Sequence, residues 1–186
     1  MIRRWLMLIS FTLAAFLFAT NLTVLNVIHE HISRDHELAP AAVAWASNAF
    51  FVVLVGALVP FKARRSVFVS AVAVFGLASL LGAFFVEAAV LIAVRGVQGL
   101  AAGVAIRAGF VLVVAAFRGA RVWPMVVMLS VAGALGLVGG PTVGVVINEV
   151  SAFTSILLAD VVLAILVAAS FPPLPATSDV SGGRIR

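Results

Sequence analysis

The chain has 186 residues, of which 64% are hydrophobic and 10% charged, with a formal net charge of +5. Soluble domains carry about 45–50% apolar and about 25% charged residues, so this composition excludes an ordinary water-soluble globule. Cysteine is absent, which removes disulfide frameworks, thiolate nucleophiles and cysteine metal sites from consideration.

A helical span takes about 20 mostly apolar residues, so a chain of this length with short connections has room for roughly six. The stretches between polar interruptions predict an all-α integral membrane bundle of six transmembrane helices. They fall at Leu6–Ile28, Ala41–Phe61, Ser66–Phe85, Ala88–Phe117, Val122–Ile147 and Ser151–Phe171. Residues 1–171 form the six-helix domain. Residues 172–186, with Pro172, Pro173 and Pro175 followed by Ser, Asp and Gly, read as a disordered cytoplasmic tail. The first span follows Arg3 and Arg4, as a signal peptide would, but its apolar run is too long and lacks a small-x-small exit, so it is expected to stay.

Orientation follows from the loops. One side carries Arg3, Arg4, Lys62, Arg64, Arg65, Arg118, Arg121, Arg184 and Arg186, and the other only Arg34. By the positive-inside rule both termini are cytoplasmic. The basic balance is therefore a topogenic signal, and no nucleic acid partner is expected. Trp5 and Trp123 at cytoplasmic ends and Trp45 near an external end fit the same frame. Eleven of the twelve basic residues are Arg, as in proteins from GC-rich bacterial genomes, and the expected location is a bacterial plasma membrane.

In the first span Asn21 lies roughly 10 Å from the external boundary, counted back from Ile28. In the fourth, Arg95 and Gln98 are three residues apart and Gly99 four, so they share a face, with Arg95 roughly 10 Å below the external boundary. An arginine at that depth costs about 2.5–3.5 kcal/mol unless it faces protein or water, so it should point inward. Asp160 in the sixth span lies about 14 Å from the outside, and an Arg95–Asp160 pair with Asn21 and Gln98 nearby is the cheapest arrangement. That pair is either a fixed tie between helices or a proton or substrate site. Arg107 lies roughly 28 Å along the fourth helix, where its guanidinium can snorkel to the cytoplasmic headgroups. In the fifth span Gly136, Gly140 and Gly144 recur every four residues and make a groove for close backbone approach, while Pro141 should bend the helix. The groove meets either another helix of the same bundle or a second bundle. The external loop with His29, Glu30, His31 and His36 reads as solvated, and no metal site or cofactor is expected. An enzyme is not expected either, because no Ser/His/Asp, metal-ligand or phosphate-loop constellation appears within the spans.

Several of these segments carry a family likeness. Leu91-Ile92-Ala93-Val94-Arg95-Gly96-Val97-Gln98-Gly99-Leu100 resembles the fourth-helix signature of the major facilitator superfamily. Gly136-Leu137-Val138-Gly139-Gly140-Pro141-Thr142-Val143-Gly144 resembles the fifth-helix signature of its proton-coupled antiporters. Asn21-Leu22-Thr23-Val24-Leu25-Asn26-Val27 is similar to the first-helix pattern of the fourteen-helix drug:proton antiporters, and Gly56 to Arg65 sits where the superfamily has its basic second-to-third loop. The resemblance covers nearly the whole chain and implies half of a major facilitator fold, namely the amino-terminal six helices. It implies transport or coupling roles for Arg95, Gln98, Asp160, Asn21 and Asn26, and interface or gating roles for Gly136, Gly140, Pro141, Gly144, Arg64 and Arg65. It also implies that the second and fifth spans, with Asn48 and Gly56 in the former, border a companion half.

Two positions depart from the pattern. Asn21 stands where the first-helix pattern has an Asp, and Pro60 where the loop has one. Neither can bind and release protons as a carboxylate does, so the proton site and the inward gate are both in question, and Arg64 and Arg65 serve either the gate or topology alone. Two functions of different class follow. One is a half-size exporter of small amphipathic compounds, proton-coupled and completed by a homodimer or a second six-helix membrane protein. The other is a membrane-embedded structural or accessory subunit that does not transport.

Overall fold

A computed structural model describes residues 2–27, 29–35, 37–58, 62–85, 87–117, 123–147 and 152–172. They form seven helices: α1 (Ile2–Val27), α2 (His29–Asp35), α3 (Pro40–Gly56), α4 (Arg65–Phe84), α5 (Ala88–Ala116), α6 (Trp123–Ile147) and α7 (Ala152–Ser170). No strand occurs among the described residues. By length and composition α1, α4, α5 and α6 can cross a membrane, and α3 and α7 contain shorter apolar helical stretches. The fold is all-helical and suits a membrane bundle. Pro60, His36, Glu149 and the tail from 173 onward lie outside the described residues.

Three expectations about the elements need correction. The segment with His29 and Glu30 is a helix and not a loop: Glu30 sits in its first turn and Arg34 in its last, opposing the peptide dipoles, and the two side chains pair at 3.5 Å. Ile32 is buried against Val24, Leu25 and Val43, which fixes α2 to the bundle. The second span was expected to reach Phe61, but α3 ends at Gly56, where the Ala57 amide closes onto the carbonyls of Val53 and Leu54. A proline four residues on disfavours helix in the residue before it. At the other extreme α1 begins at Ile2, earlier than expected. Arg4 lies over the Phe117 ring at 5.6 Å and Trp5 meets the same ring edge-on at 5.5 Å, so the first turn is packed.

The helices pack in an open series: α6 on α1, α1 on α7, α7 on α4, α4 on α5 and α5 on α3, with α1 also touching α5. Aromatic rings fill the middle. Phe18 meets Phe75 edge-on at 5.1 Å, and Phe68 lies between Phe11 and Phe171 at 6.3 and 4.5 Å. All five are at most 3% exposed, so removing any of them would open a cavity in the core.

Glycines set the two closest helix approaches. A Cβ on Gly99 would run into the Phe50 carbonyl oxygen and lie 3.0 Å from the Phe50 Cα, and one on Gly103 would lie 2.7 Å from the Ala57 Cβ, so α5 needs both to seat α3. The second approach decides between the two readings of the glycine row at Gly136 and Gly140, which meet another helix of the same bundle. A Cβ on Gly136 would fall 2.6 Å from the Ala19 Cβ, and one on Gly140 2.8 Å from the Thr20 carbonyl oxygen. The groove at Gly136 and Gly140 is filled by α1 of the same chain, because small residues on α1 let its backbone in. Pro141 lies within α6, whose helix continues past it and includes Gly144.

Candidate functional site

A buried polar network joins α1, α4, α5 and α7 near one end of the bundle. Along their helices, Asn21, Ser79, Arg95 and Asp160 all stand about 8–12 Å from that end, which is why they can meet. Arg95 is 1% exposed, Asn21 1% and Asp160 4%, so the charges are enclosed by protein.

Arg95 donates from Nη1 to Asn21 Oδ1 and to Gln98 Oε1, each at 3.0 Å, and from Nη2 to the Asn21 carbonyl oxygen at 2.7 Å. Its guanidinium also lies over the Phe50 ring, 4.3 Å from the centroid, a placement that depends on the close seating of α3 at Gly99. A cation in low dielectric over an aromatic face gains about 2 kcal/mol. The Asn21 amide Nδ2 donates to Asp160 Oδ1 at 2.8 Å and to the Leu17 carbonyl at 3.1 Å. On the far side Gln98 Nε2 donates to the Ser79 hydroxyl at 2.7 Å, and that hydroxyl donates to the Phe75 carbonyl at 3.1 Å.

The expected Arg95–Asp160 pair is therefore corrected: the two charges do not meet, and Asn21 stands between them. One amide orientation satisfies both neighbours, since its oxygen must accept from the cation and its nitrogen must donate to the carboxylate. Arg95 Nε and Asp160 Oδ2 are buried and have no hydrogen-bond partner among the described residues. Chemically, Asp160 can hold or release a proton, the Asn21 amide can transmit the change by hydrogen bonding, and Arg95 supplies a fixed positive charge one side chain away.

The structure brings Asn21, Arg95, Gln98 and Asp160 together and leaves Asn26 out. Asn26 is exposed and its Nδ2 reaches only the Leu22 carbonyl, at 3.4 Å. Asn48 and Gly56 are exposed on α3. Arg65 donates from Nε and Nη2 to the carbonyls of Pro172 and Phe171, at 3.0 and 2.9 Å, and so caps the end of α7. Sequence reasoning missed Ser79 and Phe50. Ser79 was within reach of it, being the one polar side chain between Ala71 and Phe85 and at the depth of Arg95; Phe50 carries no such signal.

From the level of Leu22, next to Asn21, toward the other end of the bundle, an apolar cleft of about 280 Å³ opens between α1, α3, α5 and α6. Phe11, Phe18, Leu54, Ile106, Phe110 and Leu129 contribute to its wall.

An apolar helical bundle with an enclosed charge network and an open apolar cleft has the parts of a membrane transporter, and sequence comparison agrees with that class. The chain is 30% identical over 162 residues to the cephamycin export protein CmcT of Amycolatopsis lactamdurans, a match that takes in 82% of this chain and 33% of that protein. The matched region thus spans about a third of the length of this curated relative. No family model matches the sequence. The similarity supports membrane export in general, and a transporter over an enzyme.

Proposed function

We infer that the chain crosses a bacterial plasma membrane six times, through α1 and α3 to α7, with both termini cytoplasmic, and forms the amino-terminal half of a major facilitator-type exporter. In this reading it exports small amphipathic compounds against proton entry, and a second six-helix bundle, from another copy or a separate protein, covers the open side of α1, α3, α5 and α6. The relative's name makes a cephamycin a natural first substrate to try. The observation that carries the reading is the hydrogen bond from Asn21 to Asp160. It puts a carboxylate from α7 beside the α1 position where the resembled drug:proton antiporters carry theirs, so the missing first-helix acid has a substitute within the same network.

Reconstituted vesicles test it directly. With an imposed proton gradient, wild type should accumulate a cephamycin, Asp160→Asn should lose the gradient dependence, and the exchange Asn21→Asp/Asp160→Asn should restore part of it. Normal transport by Asp160→Asn at equal protein content would remove proton coupling from this site. Topology has its own check: cysteines placed at Asp35 and Ser181 should respectively be reached and not reached by an impermeant reagent applied to intact cells.

The near-complete enclosure of Arg95 and Asp160 favours a second reading, in which the network is only a structural tie and the protein is a non-transporting subunit. Absence of any gradient-driven uptake, with the network still required for stability, would select it.

A further inference from the structure

Ser79 is fully buried at the junction of α4, α5 and α7 and has no part so far in the proton chemistry of Asp160. Two glycines of α4 fix its place. A Cβ on Gly76 would lie 2.9 Å from the Ala164 Cβ, and one on Gly82 would lie 3.2 Å from the Leu157 side chain and 3.1 Å from that of Val94. The earlier α4 residue meets the later α7 residue, so the two helices run antiparallel. Ser79 stands midway between the glycines, and Asp160 lies between Leu157 and Ala164, so the two side chains face each other across the contact of α4 with α7. The hydroxyl and the carboxyl interact there.

The hydroxyl has two acceptors to choose between. Gln98 Oε1 accepts from Arg95 at 3.0 Å, which turns Gln98 Nε2 toward Ser79 Oγ at 2.7 Å. An amide nitrogen only donates, so it takes one lone pair of the hydroxyl and leaves the other lone pair and the proton. That proton goes either to the Phe75 carbonyl, 3.1 Å away, or to the carboxyl opposite. The Phe75 carbonyl already accepts from the helix backbone one turn on, so withdrawing the hydroxyl orphans nothing. On the carboxyl, Oδ1 accepts from Asn21 at 2.8 Å, whereas Oδ2 is buried without a hydrogen bond among the described residues. Arg95 is the one other charged group at this level. The charges of α1 and α4 (Arg3, Arg4 and Arg65) lie at the opposite end, Arg107 of α5 is roughly 18 Å further along, and α3, α6 and the rest of α7 carry none.

We propose that Ser79 is the positioning residue for the Asp160 proton: its oxygen accepts from the protonated carboxyl at Oδ2, and its hydroxyl turns to donate to Oδ2 once that proton has left. In the first state the hydroxyl points to Phe75, the arrangement seen here; in the second it swings to the carboxylate. No bond of the hydroxyl breaks, and the carboxyl proton exchanges with water. Gln98 holds the Ser79 oxygen in both states, so the network closes into a ring through Asn21, Asp160, Ser79, Gln98 and Arg95. The device rests on the reading of Asp160 as a proton site for its purpose, but its test needs no transport.

The full chain is placed in nanodiscs and titrated with pH in the infrared, where the carboxylic C=O band that Asp160→Asn removes reports the protonated acid. Ser79→Ala takes the donor from the carboxylate, so the midpoint of that band should move up by about one pH unit, the difference between a hydrogen bond to a charged group and the neutral one it replaces. Ser79→Thr keeps the hydroxyl and should stay close to wild type. Ser47→Ala removes a hydroxyl that is bonded to the Val43 carbonyl on α3, away from Asp160, and should leave the midpoint where it is. A midpoint unchanged in folded Ser79→Ala, an equal shift in Ser47→Ala or Ser79→Thr, or a wild-type band that does not respond to pH would each overturn the assignment. A shifted midpoint in Ser79→Ala, together with a wild type that shows no gradient-driven uptake in vesicles, would sink the export reading and leave the role of Ser79 standing.

Discussion

An Asn21→Leu substitution keeps the branching and the number of heavy atoms of the side chain, with somewhat bulkier methyl ends, and removes both ends of the amide that separates the two buried charges. Arg95 would retain Gln98 Oε1 at 3.0 Å and the residue-21 carbonyl at 2.7 Å, because the latter belongs to the backbone. Its loss is one shared contact, about 1 kcal/mol. Asp160 would lose the amide donor on Oδ1, while its Oδ2 already has no partner among the described residues. An ionised acceptor left bare in a buried site loses about 2–3 kcal/mol. The total is about 3–4 kcal/mol if Asp160 is charged. If the carboxyl carries a proton, its bond to Asn21 is a neutral one, of a kind that averages only about 0.6 kcal/mol inside membrane proteins, and with the Arg95 contact the loss shrinks to about 2 kcal/mol. Unfolding by dodecyl sulfate in mixed micelles, followed by far-ultraviolet circular dichroism, measures the difference. Adding Asp160→Leu should then recover stability, since the stranded acid is gone. A single mutant as stable as wild type, or a double mutant no better than the single, would refute the linking role of Asn21.

Three further outcomes follow from the packing. Gly99→Ala should destabilise by about 1–3 kcal/mol, because its methyl group meets the Phe50 backbone, whereas Gly96→Ala meets open space and should gain up to about 1 kcal/mol from helix propensity; the same micelle titration compares them. Gly140→Leu should prise α6 from α1 and lower bundle stability at every protein concentration, while Gly133→Leu, which also meets open space, should leave stability near wild type; a concentration-dependent loss in Gly140→Leu would return the groove to an intermolecular role. Arg65→Ala should remove two hydrogen bonds at the end of α7 and speed amide exchange there, with a stability loss of about 1–3 kcal/mol and little change at Asp160, as followed by hydrogen-exchange mass spectrometry.

The helices themselves were legible in the amino-acid order because apolar runs of about 20 residues leave few other structures open. The exception was the His29–Asp35 helix, too short and too polar for that signal, which is held by Ile32 and by an ion pair one turn apart. Common depth was enough to gather Asn21, Arg95, Gln98 and Asp160, because helices that run back and forth place polar residues at one level. The order in which they touch was not legible. Charge attraction pointed to Arg95 meeting Asp160, but the rotation of α1 about its axis, set by Ala19 and Thr20 against the α6 glycines, puts Asn21 between them. Rotation also decided the glycine row. A spacing of four says that a helix can be approached closely, and says nothing about whether the visitor belongs to the same chain.

The acid of the network is carried by α7, the last helix among the described residues, and this matters for how the protein is made. As the chain is made from its amino terminus, Arg95 can find Asn21 and Gln98 as soon as α5 is in place, yet Asp160 follows only 65 residues later. Until then the emerging bundle holds a buried cation without its counter-ion, an arrangement that membranes tolerate poorly. Arrival of α7 neutralises the interior and, through Arg65, ties off its own end against the start of α4. The position of Asp160 thus makes the docking of α7 the step that balances Arg95 through Asn21, and a bundle onto which α7 has not yet docked is expected to be loose and open to proteolysis.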